Sequence, residues 1–166
     1  RQIFFFFFNS LSPSSGMPIL SPGKTYTIII KAIANGKTIS RSISALNILR
    51  ESQIKEIKKE VLKVDNSFVA PKKKTYLHLS ILSKYHLVDD SIALMESQRE
   101  FNSNDAKFHR ILAETYFNVG LLDQAKNIYE RAEVIANNTN DSAEYMLAKE
   151  GLKAVVSLMN SQSLKP

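Results

Sequence analysis

Hydrophobic and polar positions alternate along residues 25–45, "TYTIIIKAIANGKTISRSISA", and change to a helical spacing from Glu51 onward. The first pattern predicts strands, the second helices. Asn35-Gly36 divides the alternating stretch. A tight two-residue turn needs positive φ at both positions, which this dipeptide tolerates, so a β-hairpin is predicted. Folding about it pairs residues whose numbers sum to 71, setting Tyr26 against Ala45, Ile28 against Ile43 and Ala32 against Ile39. One face then carries Tyr26, Ile28, Ile30, Ala32, Ile39 and Ile43, with Arg41 the exception. The other is mostly Thr, Ser and Lys, with Ile29 and Ile33 as intruders. A lone hairpin is marginal in water, so this one is expected to need a cover.

The helical part opens with "ESQIKEIKKEVLKV", which places Ile54, Ile57, Val61 and Val64 on one stripe. Asn66, Ser67 and Pro71 end it. Beyond that, an offset of 34 residues pairs Leu87 with Leu121, Asp89 with Asp123, Glu96 with Glu130, Leu82 with Tyr116 and Met95 with Tyr129. Helix starts are signalled at Asp89, at Asn104 or Asp105, and at Asp141, where Glu144 completes a capping box. The expected helices cover residues 73–85, 89–102, 105–118, 122–136 and 141–159.

Within the second unit the spacing is Leu112-Ala113, Tyr116, Gly120, Ala125, Tyr129 and Ala132. The alanines let two helices approach to about 8–10 Å, and Gly120 permits a tight reversal. A period of 34 residues with these small positions resembles the tetratricopeptide repeat (TPR) family. The resemblance is closest over 108–141; in the preceding unit Leu79 and Ser91 stand for the small residues and His86 for the glycine. The fold class expected is mainly α, a TPR-like helical-hairpin array (an α-solenoid) preceded by a β-hairpin. The last helix, with Ala148 and Gly151, reads as a third first-helix serving as cap. About three repeats are needed for a continuous core, so the helix at 51–64 and this cap are expected to add the missing layers.

The segment before the first strand, Leu20-x-Pro22-x-x-x-Tyr26, is similar to the tyrosine corner of fibronectin type III-like sandwiches, in which the hydroxyl bonds back to the preceding loop. That resemblance implies either a sandwich that is cut short or a hairpin packed on the following helices. The expected organisation is an irregular, low-complexity end over 1–19, a hairpin over 20–49, a connecting helix over 50–65 and the repeats over 73–160. The run "IFFFFF" at Ile3–Phe8 is far shorter than the roughly 20 residues a membrane helix needs. Because the chain opens on Arg1 it is expected to continue upstream, and either an exported or a cytoplasmic setting is compatible with it.

Charge and chemistry narrow the function. The 166 residues carry 22 basic and 16 acidic side chains, net +6, well mixed along the chain. Nucleic-acid binders concentrate their charge more strongly, so that role is disfavoured. With no Cys, thiolate metal sites and Cys nucleophiles are excluded. His78, His86 and His109 show no metal-ligand spacing, the five Gly form no phosphate loop, and no Gly-x-Ser-x-Gly elbow occurs. The expectation is a non-enzyme without cofactor or metal.

The TPR resemblance implies a peptide or protein partner held on the concave side, lined by the first helix of each pair. On this chain those positions are Lys73, Tyr76, Ser80 and Lys84, then Lys107, Arg110, Glu114, Phe117 and Asn118. Four of these are basic and one acidic, which favours an acidic or carboxylate-bearing partner. The set departs from the carboxylate-gripping branch of the family, because Tyr76, Ser80 and Ile111 stand where polar grips are expected. Two other readings are a structural, envelope-associated fragment and a basic adaptor built on "APKKKTY" (70–76) with Lys55, Lys58, Lys59 and Lys63.

Overall fold

In the computed structural model the described residues are 2–5, 20–34 and 37–163. The Asn35-Gly36 turn lies outside them, as does most of the phenylalanine run. The elements are β1 (Gln2–Phe5), β2 (Thr25–Ala34), β3 (Lys37–Asn47), α1 (Glu51–Asp65), α2 (Pro71–Lys84), α3 (Val88–Ser97), α4 (Ala106–Asn118), α5 (Leu122–Asn138) and α6 (Ser142–Ser163). The chain divides into two compact units, 1–63 and 64–166.

In the first unit β2 is the central strand, parallel to β1 and antiparallel to β3. Gln2–Phe5 is thus a strand, where an irregular end is expected from composition. The β2–β3 register also differs from the reading above. Thr38 pairs with Ile33, but Ser40 pairs with Ala32, so Ile39 is an extra residue and the register shifts there. From that bulge onward Tyr26 opposes Leu46, Ile28 opposes Ser44 and Ile29 opposes Ile43. A slip of one residue exchanges the faces of a strand. Ile29, the supposed intruder, is 3% exposed in the central strand; Ile43, its partner on the same face, is 59% exposed in the edge strand β3, and Ile39 at the bulge is 68% exposed.

Tyr26 is buried, and its hydroxyl accepts the Ser21 N–H at 2.8 Å, the local bond expected of the Leu-x-Pro-x-x-x-Tyr spacing. Gly23, at φ 72°, makes the preceding turn, and its N–H reaches the Ile48 carbonyl at 3.0 Å. The described residues hold one three-stranded sheet and no second sheet. α1 is amphipathic as expected: Ile54, Ile57, Val61 and Val64 are half-buried, and none of its residues is fully buried.

The second unit is the helical-hairpin array. Its repetition is visible in the backbone bonds, which recur at the 34-residue offset. Leu87 N–H donates to Leu82 O at 2.9 Å and Leu121 N–H to Tyr116 O at 3.0 Å. His86 N–H donates to Ser83 O, and Gly120 N–H to Phe117 O, each at 3.0 Å. These bonds close α2 and α4 through left-handed residues, His86 at φ 56° and Gly120 at φ 80°. Asn140, at φ 55°, closes α5 in the same way, with Asp141 N–H on Ala136 O at 2.8 Å.

The core is continuous through Leu79, Met95, Phe108, Leu112, Tyr129 and Val155, with alanines 113, 125, 132 and 148 fully buried where helices meet. α6 packs on α4 and α5 and closes the array.

The ends of α3 and the cap of α6 depart from expectation. α3 begins at Val88, so Asp89 lies in its first turn and is not its cap. α3 also ends at Ser97, because Gln98 and Asn102 stand where the second repeat has buried Ala132 and Ala136. The Asn102 side chain donates to Gln98 O at 2.9 Å, which competes with the helix ladder. At α6 the Asp141 carboxylate accepts Glu144 N–H at 3.1 Å, but the Glu144 side chain turns to Arg110, leaving the capping box half formed.

Candidate functional site: the first-helix face

α2, α4 and α6 are successive first helices, and how closely they approach depends on the side chains between them. α4 and α6 meet closely, with Ala113 and Ala148 buried. Leu79 occupies in α2 the place that Ala113 takes in α4. Among the described residues no Cα of α2 comes within 8 Å of α4. The two helices are nonetheless joined at their N-terminal ends. Tyr76 Oη donates to Asp105 Oδ2 at 2.8 Å, and Lys72 Nζ lies 2.8 Å from the same oxygen. Asp105 Oδ1 caps α4 by accepting Phe108 N–H at 3.1 Å.

Burial alone would raise the Asp105 pKa, but the bonds from Lys72, Tyr76 and Phe108 outweigh it and hold the carboxyl below its ordinary value. Burial, then the bond to that carboxylate, pushes the Tyr76 phenol well up. Further along, the Cα atoms of the two helices stay more than 8 Å apart.

Between α2, α3 and α4 lies a cleft of about 280 Å³. Its floor and walls are apolar, with Leu79, Leu87, Val88, Met95 and Ile111. Its polar groups are Ser83, His86, Ser91, Glu114, Thr115 and Asn118. Two of the hydroxyls are committed to helix carbonyls at 2.8 Å, Ser91 to Leu87 O and Thr115 to Ile111 O.

The nine residues expected on this face divide into three groups. Glu114 and Asn118 line the cleft. Lys73, Ser80, Lys84 and Lys107 are exposed but do not line it. Lys84 Nζ sits 4.9 Å over the Tyr85 ring and Lys107 Nζ 5.5 Å over the Tyr76 ring. Tyr76, Arg110 and Phe117 are built into the structure. Phe117 packs against the core. The Arg110 side chain, 13% exposed, donates from Nε to Glu144 Oε2 at 2.5 Å and also pairs with Glu114 Oε1. Those bonds to Glu144 and Glu114 outweigh burial and raise its pKa further. Arg110 therefore brings no unpaired positive charge to this face. Ser83, Leu79 and Ile111 were not among the expected lining residues. Ser83 lies one position before Lys84 and lines the cleft.

The lysine-rich "APKKKTY" is partly consumed in the fold. Lys72 is held by Asp105, and Lys74 Nζ donates to Asp65 O at 2.5 Å. His78 Nε2 is 3.1 Å from Asp65 Oδ1, without the alignment of a hydrogen bond. His109 is fully buried, with Nδ1 2.9 Å from Asp105 O and no partner for Nε2. Burial depresses its pKa, and the charges of Arg131 and Arg99 depress it further. Tyr116 Oη donates to Glu96 Oε1 at 2.7 Å, tying α4 to α3, and burial together with Glu96 pushes that phenol up to about 12. Among the described residues no group of three His, Asp or Glu is placed to hold a metal ion, and no helix is long and apolar enough to cross a membrane.

No protein-family model matches the chain, and no curated protein sequence matches it. Among solved structures, PcrH from Pseudomonas aeruginosa is similar, with 16% sequence identity and a TM-score of 0.49. The match covers 65% of this chain and 95% of that one.

Proposed function

We propose that this chain is a non-enzymatic protein-interaction module that holds a peptide or protein segment on the face carrying α2 and α4. The observation that carries the reading is the 280 Å³ cleft lined by α2, α3 and α4, which combines apolar side chains with a few polar groups. Binding sites are typically concave and apolar with a few polar groups that fix orientation. The cleft is large enough for one bulky side chain of a partner, and the Tyr76–Asp105 and Lys72–Asp105 contacts tie α2 to the start of α4. A pre-organised cavity of this kind reduces the ordering cost of binding.

The test is selection from a displayed random-peptide library on the full chain, followed by capture with two variants. Ser83→Trp fills the cleft from an exposed position, and Ser157→Trp adds the same ring on exposed α6. Selected peptides should lose capture by the first variant and keep it with the second. Equal capture by Ser83→Trp and the unmodified chain would refute the assignment of the cleft.

A further inference from the structure

The electrostatics of the cleft name the chemistry of what enters it. Of the charged side chains close by, only Glu114 is part of the lining. Its carboxylate is 44% exposed and shares a single cation, Arg110, with Glu144, whose side chain is 14% exposed. Two carboxylates on one guanidinium leave this corner with one net negative charge. Glu114 meets Arg110 through Oε1. Lys84 follows Ser83 in sequence, but its ammonium is stationed over the Tyr85 ring. Lys107 is held over Tyr76, beside the α2–α4 tie at the N-terminal ends of the helices.

We infer that the occupant of the cleft is a peptide segment that places a large aliphatic or aromatic side chain on Leu79, Met95 and Ile111 and a lysine or arginine on Glu114. The inference rests on the peptide-binding reading above and deepens it. It reverses the acidic preference expected from residue counts, because the structure neutralises Arg110 internally. A charge-assisted bond from the partner to Glu114 completes what the shared guanidinium leaves incomplete. It also fixes the direction in which the segment lies, since the apolar floor alone does not distinguish the two ends of a peptide.

The experiment uses fluorescein-labelled seven-residue peptides with a central Leu or Phe in a Gly-Ser background. Each carries Lys, Gln or Glu at one flanking position, scanned on both sides, and binding to the full chain is read by anisotropy. At the productive position the Lys peptide should bind about fivefold tighter than its Gln counterpart, the size of a partly exposed ion pair, and the Glu peptide weaker than both. Glu114→Gln should abolish the Lys preference, so that the Lys and Gln peptides bind this variant equally, while Arg110 keeps Glu144 as its partner. Binding of all three peptides with equal affinity, or a Lys preference that survives Glu114→Gln, overturns this inference and leaves the cleft reading standing. Failure of every peptide to bind, alongside failure of the library selection, overturns both.

Discussion

Gly151 gives the sharpest test of how the array closes. It lies in the interior of α6, where alanine would normally be preferred over glycine by about 1 kcal/mol. Here the backbone faces the buried Tyr129 ring of α5. A Cβ built on Gly151 would lie 2.7 Å from Tyr129 Oη and closer still to Cε1 and Cζ. Ordinary carbon contacts are near 3.5–4.0 Å, so the ring would have to retreat by roughly 1 Å or more. It has little room to do so, because Tyr129 is 3% exposed and packs in one core with Ala125, Ala132 and Ala148, all fully buried. Overpacking costs about 1–3 kcal/mol, and an overlap with three ring atoms falls in the upper part of that range, about 2–3 kcal/mol, above the helix-propensity gain. Gly151→Ala should therefore destabilise the protein by about 1–2 kcal/mol and lower Tm by about 4–8 °C. In a Tyr129→Leu background the obstacle is gone and the same substitution should stabilise by about 0.5–1 kcal/mol. The coupling between the two positions, about 2–3 kcal/mol, is read from urea titrations of the four proteins of the cycle. A Gly151→Ala protein as stable as the unmodified chain, or more so, would refute the packing of α6 on α5 described above.

Three further outcomes follow from the same structure. His109 is buried with its pKa below the ordinary 6.5, so the unfolded chain binds its proton more readily than the folded one. Its contribution to stability is complete above pH 6.5 and is lost as pH falls below that value; urea midpoints should decline over pH 6.5–5 in the native protein and decline less in His109→Gln. Equal pH slopes in the two proteins would contradict this. His86→Gly places glycine at φ 56° and should stabilise by about 0.5–1 kcal/mol, seen as a higher Tm, whereas Gly120→Ala at φ 80° should lower it by a similar amount. Asp105→Ala removes the α4 cap together with the acceptor for Tyr76 and Lys72, and should cost about 2–3 kcal/mol in urea denaturation.

Local features of the fold are legible in the residues because local rules generate them. The 34-residue repetition survives low identity because each unit closes its helix by the same backbone bonds, and His86 can substitute for Gly120 at positive φ with only modest strain. The starts at Asp105 and Asp141 are readable because a carboxylate needs only the N–H three residues ahead. The bond from Ser21 N–H to the Tyr26 hydroxyl joins residues five apart, and the tyrosine-corner resemblance, not the alternation, implies it.

What tertiary structure alone decides involves distant partners or a balance of sizes. The shift at Ile39 is not visible in the alternation, since a single extra residue leaves the pattern readable in either register. Arg110 looks like a groove cation until Glu144, 34 residues later, is brought against it. The cleft itself has no motif: it exists because Leu79 keeps α2 from α4 where Ala113 and Ala148 let α4 approach α6. Periodicity states which side of a helix is apolar. How far apart two such sides come to rest, and which charges cancel between them, depends on volumes and fields summed over the whole unit.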